Sequence, residues 1–366
     1  MNSATGTFSY RRKLASAGSV TEKKEDLLSH QLGHVDLERV RSVADLVEQF
    51  QKGAFQSRAL GTAAAILEEA LADRARPTMF LGIAGAMVPG GMRKVISDMI
   101  REGLVDVLVT TGAIAYHDFY EGLGHHHYRG HPEMDDVLLR KHFINRVYDS
   151  LADEAIFRDI DAMMAEVADR LEPRSYSSRE FMEILGKQLD DETSIVRAAY
   201  THGVPYFVPT YHDSGIGIGL VSHQAHRAEK GEEPARIDLV RDNYEIAQIL
   251  WKSSARAEFL VGGGVPKNYI QQAEITAETL GHDPGGFDYA VQLTMDVPYW
   301  GGLSGATFEE SKSWGKIRPE ARTAQVYVEA TIGLPLIVGY LLQRGVSQRR
   351  KRREFTWEGQ ELRGLA

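Results

Sequence analysis

Six short apolar runs punctuate the 366-residue chain: Thr78–Ile83, Val105–Thr110, Tyr206–Thr210, Glu258–Val261, Tyr289–Leu293 and Gln325–Val328. Between them lie stretches whose apolar residues recur at helical spacing. Strands that alternate apolar and polar residues are wetted on one face, whereas continuous runs are buried on both. Runs of this kind separated by helices predict an α/β protein with a mainly parallel sheet, doubly wound with helices on both faces.

Elsewhere the pattern is helical. The spacing through Val43, Leu46, Val47 and Phe50, and again from Ala63 to Leu71, predicts two helices, and Met92–Glu102 a third. Residues 143–190 are charged and read as a helical surface insertion. Residues 1–35 carry no sustained apolar period and read as a flexible N-terminal arm. Residues 36–345 then make one domain, with 346–366 as a basic C-terminal tail. Its run Gln348-Arg-Arg-Lys-Arg-Arg353 is expected to be a solvated terminal face, with contact to an acidic partner as the alternative.

Composition narrows the function classes. With 43% hydrophobic and 25% charged residues the chain can bury a large core. A formal charge of -9 disfavours nucleic acid and mildly favours cationic ligands. The absence of cysteine excludes disulfides, thiolate metal sites and a cysteine nucleophile, and fits a reducing compartment. No apolar stretch approaches the roughly 18 residues of a membrane span, and residues 1–13 lack a signal core. The expectation is a cytoplasmic protein.

In an open parallel sheet, ligands bind beyond the carboxyl ends of the strands. The segments there are rich in small residues: Gly82–Gly91, Thr110–Ala113, Thr210–Gly215, Gly262–Gly264 and Gly301–Gly305. Small residues let backbone amides approach a phosphate closely. No GxGxxG fingerprint is present, so a nucleotide would bind by a variant scheme. The segment Glu309–Ile317 places Trp314 two residues before Lys316, with Glu310 upstream. A lysine beside an aromatic wall can act as an imine-forming nucleophile; without that context Lys316 reads as a surface lysine. His125, His126, His127 and His131, with His117 and Asp118 upstream, lack the spacing of a zinc site, and none is expected. His212 and Asp213 near Ser214 and Ser222 have a hydrolase composition without a GxSxG elbow.

The run Ser313-Trp-Gly-Lys-Ile317 resembles the catalytic-lysine motif of deoxyhypusine synthases. Phe80–Gly82, Val105–Thr111, Val204–Pro209, Gly262–Lys267 and Asp288–Ala290 resemble that family in order and approximate spacing. The resemblance spans roughly residues 35–345. It implies a Rossmann-like fold and a homotetramer with active sites at dimer interfaces. It also implies an NAD-dependent transferase that oxidises spermidine, carries an aminobutyl unit as an imine on Lys316 and passes it to an acceptor amine. By position, the resemblance assigns cofactor contacts to Gly85, Ala86, Met87, Val88, Pro89, Thr111, Gly112, Ala113, Asp213, Gly263, Met295, Asp296, Ser304, Glu329 and Ala330. Glu329 replaces an aspartate. Glu310, Trp314 and Lys316 match the family's substrate shell. Tyr116 and His117 stand at its paired glutamates and Asn268 at its histidine, while Ile218 and Leu303 replace acidic residues. A charge-assisted hydrogen bond contributes roughly 1.5–3 kcal/mol, so these exchanges imply a donor or acceptor other than the usual pair, a homospermidine-type product among the options. The alternatives are a true deoxyhypusine synthase acting on a translation-factor lysine, and a non-catalytic NAD-binding regulator.

Overall fold

A computed structural model describes residues 23–366. The apolar runs form the strands of one sheet: β1 (Thr78–Ile83), β2 (Val107–Thr110), β3 (Tyr206–Phe207), β4 (Arg256–Val261), β5 (Phe287–Thr294) and β6 (Ile317–Tyr327). Their order is β6-β5-β4-β1-β2-β3 and every pairing is parallel. The chain begins at β1, builds outward to β3, crosses to the other side of β1 and builds outward again to β6. Loops leaving β1 and β4 therefore diverge, which opens a crevice at the carboxyl edge.

Helices supply the crossovers: α1 (Val43–Gln51), α2 (Phe55–Ala72), α3 (Arg93–Arg101), α4 (Gly112–Gly122), α5 (Glu154–Asp169), α6 (Gly215–Glu229), α7 (Leu239–Lys252), α8 (Gly264–Thr279), α9 (Phe308–Lys312) and α10 (Ala330–Gln343). Successive strand side chains point to opposite faces. Met79, Leu81 and Ile83 accordingly join a core with Leu67, Ile96 and Leu334, while Phe80 joins a second core with Ile246, Ile249 and Ile270. Both faces of β1 and β2 are covered, which is why those two runs are almost wholly apolar.

Three segments differ from the sequence reading. Residues 143–190 open with strands Ile144–Val147 and Ser150–Asp153, antiparallel across a tight turn at Tyr148 and Asp149, before α5 begins. Tyr148 adopts φ 54°, a conformation that favours glycine or asparagine, so the turn carried no sequence signal. The basic run at 348–353 is docked under the amino edge of the sheet and is not a solvated face. Arg350 pairs with Asp106, whose carboxylate is fully buried and also accepts from the backbone N–H of Met79 (2.8 Å) and of Arg353 (2.9 Å). A hairpin of Phe355–Glu358 and Glu361–Leu365 then packs on α7, where Leu362 N–H donates to Gln248 Oε1 at 2.9 Å. Of the expected arm, residues 1–22 lie outside the described residues, and 23–35 contain one short helix, Lys24–Leu27, with no buried residue. Among the described residues no helix is long and apolar enough to cross a membrane.

Candidate functional site

All residues expected to contact a cofactor lie at the carboxyl edge of the sheet. Gly85 turns the chain out of β1 with φ 89°, and Met87 and Val88 plug into the core, 8% and 1% exposed. They anchor the loop, so only their backbone faces outward. Gly85, Ala86 and Pro89 line a cleft of about 160 Å³ with Thr111, Ala113, Ile114 and His117. Thr111 and Gly112 start α4, Asp213 lies exposed just before α6, and Met295 and Asp296 follow β5. Glu329 caps α10 through Thr331 N–H at 2.9 Å, and Ala330 opens that helix. Gly263, between β4 and α8, faces Ser304 so closely that a Cβ would sit 2.5 Å from the serine Cα. The Ser304 hydroxyl accepts from Gly264 N–H at 2.9 Å, and its carbonyl accepts from Gln292. Helices α4, α8 and α10 thus all begin at this edge, and helix N-termini favour anions.

Lys316 immediately precedes β6 and is 8% exposed. Its Nζ donates to Asn268 Oδ1 at 3.1 Å and lies 5.5 Å from the centre of the Trp314 ring, which is itself largely exposed. Burial pushes the Lys316 amine below the usual lysine range, against the opposing pull of Glu258 and Glu310. Asn268 also lines a separate cleft of about 370 Å³, together with Pro209, Val240, Val265, Tyr269 and Leu303. The amine therefore sits at the wall of an open cleft, behind an asparagine and beneath an indole.

Sequence reasoning missed the carboxylate behind this lysine. Glu258 on β4 is fully buried; Gln271 donates to its Oε1 at 2.7 Å, and Oε2 has no partner among the described residues. Burial raises its pKa to about 8, while Lys267 and Lys316 act in the opposite direction. Lys267 is buried too, donates to Gln292 Oε1 at 2.9 Å and Ala306 O at 2.5 Å, and is pushed down to about 8 by burial. A glutamate inside an apolar strand was the available signal, because an unpaired buried carboxylate is costly and calls for a nearby partner.

The structure does not bring Tyr116 and His117 to Lys316. Both belong to α4. The Tyr116 hydroxyl lies 2.6 Å from Asp161 Oδ1 and 2.8 Å from Phe157 O, so it ties α4 to α5 and is already engaged. His117 lines the cleft of the β1 and β2 loops, and no residue lines both clefts. Glu310, on the exposed side of α9, acts on Lys316 through its charge. Ile218 points to solvent on α6, and Leu303 lines the larger cleft. The loop cleft with its histidine and the cleft beside the shielded lysine thus have separate linings. Among the described residues no cluster of His, Asp or Glu could hold a metal ion.

The family model described as deoxyhypusine synthase matches residues 45–341. The chain is 46% identical over 330 residues to probable deoxyhypusine synthase 2 of Methanosarcina acetivorans, covering 89% of this chain and 93% of that one. It is 37% identical over 349 residues to a deoxyhypusine synthase-like protein of Chlorobaculum tepidum, covering 94% and 95%. Among solved structures, a provisionally assigned deoxyhypusine synthase from Entamoeba histolytica superposes with a TM-score of 0.58 at 19% identity, over 84% of this chain and 95% of that one. That likeness concerns the fold.

Proposed function

This chain belongs to the deoxyhypusine synthase family, and from that premise we propose that it is an NAD-dependent aminobutyl transferase that carries its cargo as an imine on Lys316. The family supplies the coarser statement, a transferase of an aminobutyl group. The observation that carries the finer one is the state of Lys316: shielded, pushed toward the neutral amine, and seated against Asn268 and Trp314. Only an unprotonated amine adds to an imine carbon, and a shielded site keeps the resulting imine from hydrolysis.

The strand order, reversing at β1, supports reading the sheet as Rossmann-like and doubly wound, with residues 36–345 as the catalytic unit. The residues of the carboxyl edge fit a dinucleotide. Gly85, Ala86, Pro89, Thr111 and Ala113 would hold it by backbone and small side chains, and Gly263 lets Ser304 close against the start of α8 where a Cβ would clash. Glu329 uses Oε2 to cap α10 and has Oε1 available for a ribose hydroxyl. When bound, the dinucleotide would accept a hydride from the amine donor and later return it. The chain's own residues shield the amine, orient it and keep water away.

The separation of the two clefts within one chain supports the expectation of a homotetramer with active sites completed across dimer interfaces. The exchanges at 116, 117, 218, 268 and 303 favour a donor or acceptor other than spermidine and a protein lysine. The test is borohydride trapping of protein incubated with NAD and a panel of spermidine, homospermidine and agmatine. A reduced adduct mapped to Lys316 is expected, and Lys316→Ala should form none while binding NAD within about threefold of wild type. An unmodified Lys316 with every amine contradicts the proposal.

A further inference from the structure

His117 belongs to a half-buried chain of three groups that the lysine chemistry leaves unused. Its Nδ1 lies 2.9 Å from His127 Nε2, and His127 Nδ1 lies 2.6 Å from Glu121 Oε1. Phe157 packs edge-on to the His117 ring at 5.4 Å and Tyr120 lies 5.2 Å from that of His127, whose side chain is 7% exposed. The other ionisable groups facing the chain are already engaged. Arg93 of α3 lies 3.7 Å from Glu121 but bonds Asp118 and Asp191, and Tyr116 is bound to Asp161 of α5.

The carboxylate sets the direction of this chain. Ionised Glu121 can only accept, so His127 carries its proton on Nδ1. Neutral His127 then accepts at Nε2, which places the His117 proton on Nδ1. The His117 Nε2 lone pair remains, without a partner among the described residues, on a ring that lines the cleft of the β1 and β2 loops.

We infer that His117 is the catalytic proton acceptor for the amine donor, and that His127 and Glu121 are positioning residues that carry the resulting charge away from the cleft. The inference rests on the transferase reading and adds how the donor is activated: it is taken up as an ammonium and used as the free base. The donor ammonium gives one proton to His117 Nε2, and the Nδ1 proton moves to His127 Nε2. The neutral amine can then lose a hydride from its α-carbon to a nicotinamide oxidant, leaving an iminium. The amine is oxidised by two electrons and the nicotinamide reduced by two, and the amine later released takes the proton back. Burial, with His127 beside it, pushes His117 down to about 4, so an accepted proton is passed on along the hydrogen bond to His127, which lies 2.6 Å from the Glu121 carboxylate. The His117 ring lines the cleft that would hold the dinucleotide, where a donor has to lie to pass on its hydride. A base in this position does the work for which carboxylate partners would otherwise hold the ammonium.

The test compares wild type, His117→Ala, His117→Asn and His127→Asn, each loaded with NAD and the same amine panel. The rate of borohydride-trappable adduct at Lys316 should fall at least about 100-fold in both His117 variants at pH 7.5. Added imidazole should restore at least about tenfold in His117→Ala, with every variant assayed at a saturating NAD concentration. His127→Asn should fall at least about tenfold and depend more steeply on pH. Independently of turnover, ¹⁵N–¹H correlation of the unloaded protein should find His117 neutral with its proton on Nδ1. Wild-type rates in the His117 variants, no rescue by imidazole, or a proton on Nε2 overturn the inference alone. No adduct in wild type overturns the transferase reading and this inference with it.

Discussion

At the scale of single residues, the catalytic candidate was legible and its surroundings were not. Lys316 stands out because a short run, Ser313–Ile317, carries a family's motif, and in the structure its amine is shielded and pushed below the usual lysine range by burial. Glu258 was hidden because a buried acid in a strand is recognisable only once its neighbours across α8 and β6 are known. Its folded pKa of about 8 exceeds its ordinary value of 4.5. The folded state therefore retains a proton that the unfolded state has lost, and stability falls as pH rises between those values. Glu258→Gln should flatten that fall, its stability relative to wild type rising by roughly 1–3 kcal/mol from pH 5 to pH 8 in urea melts. Glu274 and Asp242, each raised to about 7 by burial, keep part of the wild-type slope. Parallel pH dependence in variant and wild type would show that Glu258 is ionised throughout.

At the scale of elements, strands buried on both faces announced themselves and the small antiparallel sheet did not. The former need uninterrupted apolar side chains, whereas the pair Ile144–Val147 and Ser150–Asp153 is half-wetted and turns at a tyrosine. The β4–α8 junction shows what the small loop residues are for. A methyl at Gly263 has no room beside Ser304, so Gly263→Ala should displace the 302–305 turn, cost roughly 1–3 kcal/mol and weaken NAD binding at least about tenfold by calorimetric titration. Ser304→Ala removes one hydrogen bond and should cost less than Gly263→Ala on both counts. An alanine at 263 with unchanged affinity would separate this junction from the cofactor cleft.

At the scale of the molecule, the sheet was readable from periodicity, whereas sites shared between copies were expected only through the resemblance, because no periodicity records which clefts face each other. If the site closes between copies, Lys316→Ala and Ala113→Trp, each inactive alone, should recover about a quarter of wild-type activity when co-expressed, since random pairing restores one complete site in half the dimers. No recovery in mixed tetramers would mean that each copy works alone. The amino edge tells the opposite story. Arg350→Met strands the buried Asp106 carboxylate and should destabilise by roughly 3–5 kcal/mol in urea melts without altering the chemistry of Lys316. One anchor of the fold thus lies beneath the strands, at Asp106 and the arginines that cover it, while every candidate ligand loop lies at the other end. Variation in those upper loops leaves the anchorage untouched, so descendants of such a chain are free to exchange one amine for another over evolutionary time and still arrive at the same shape.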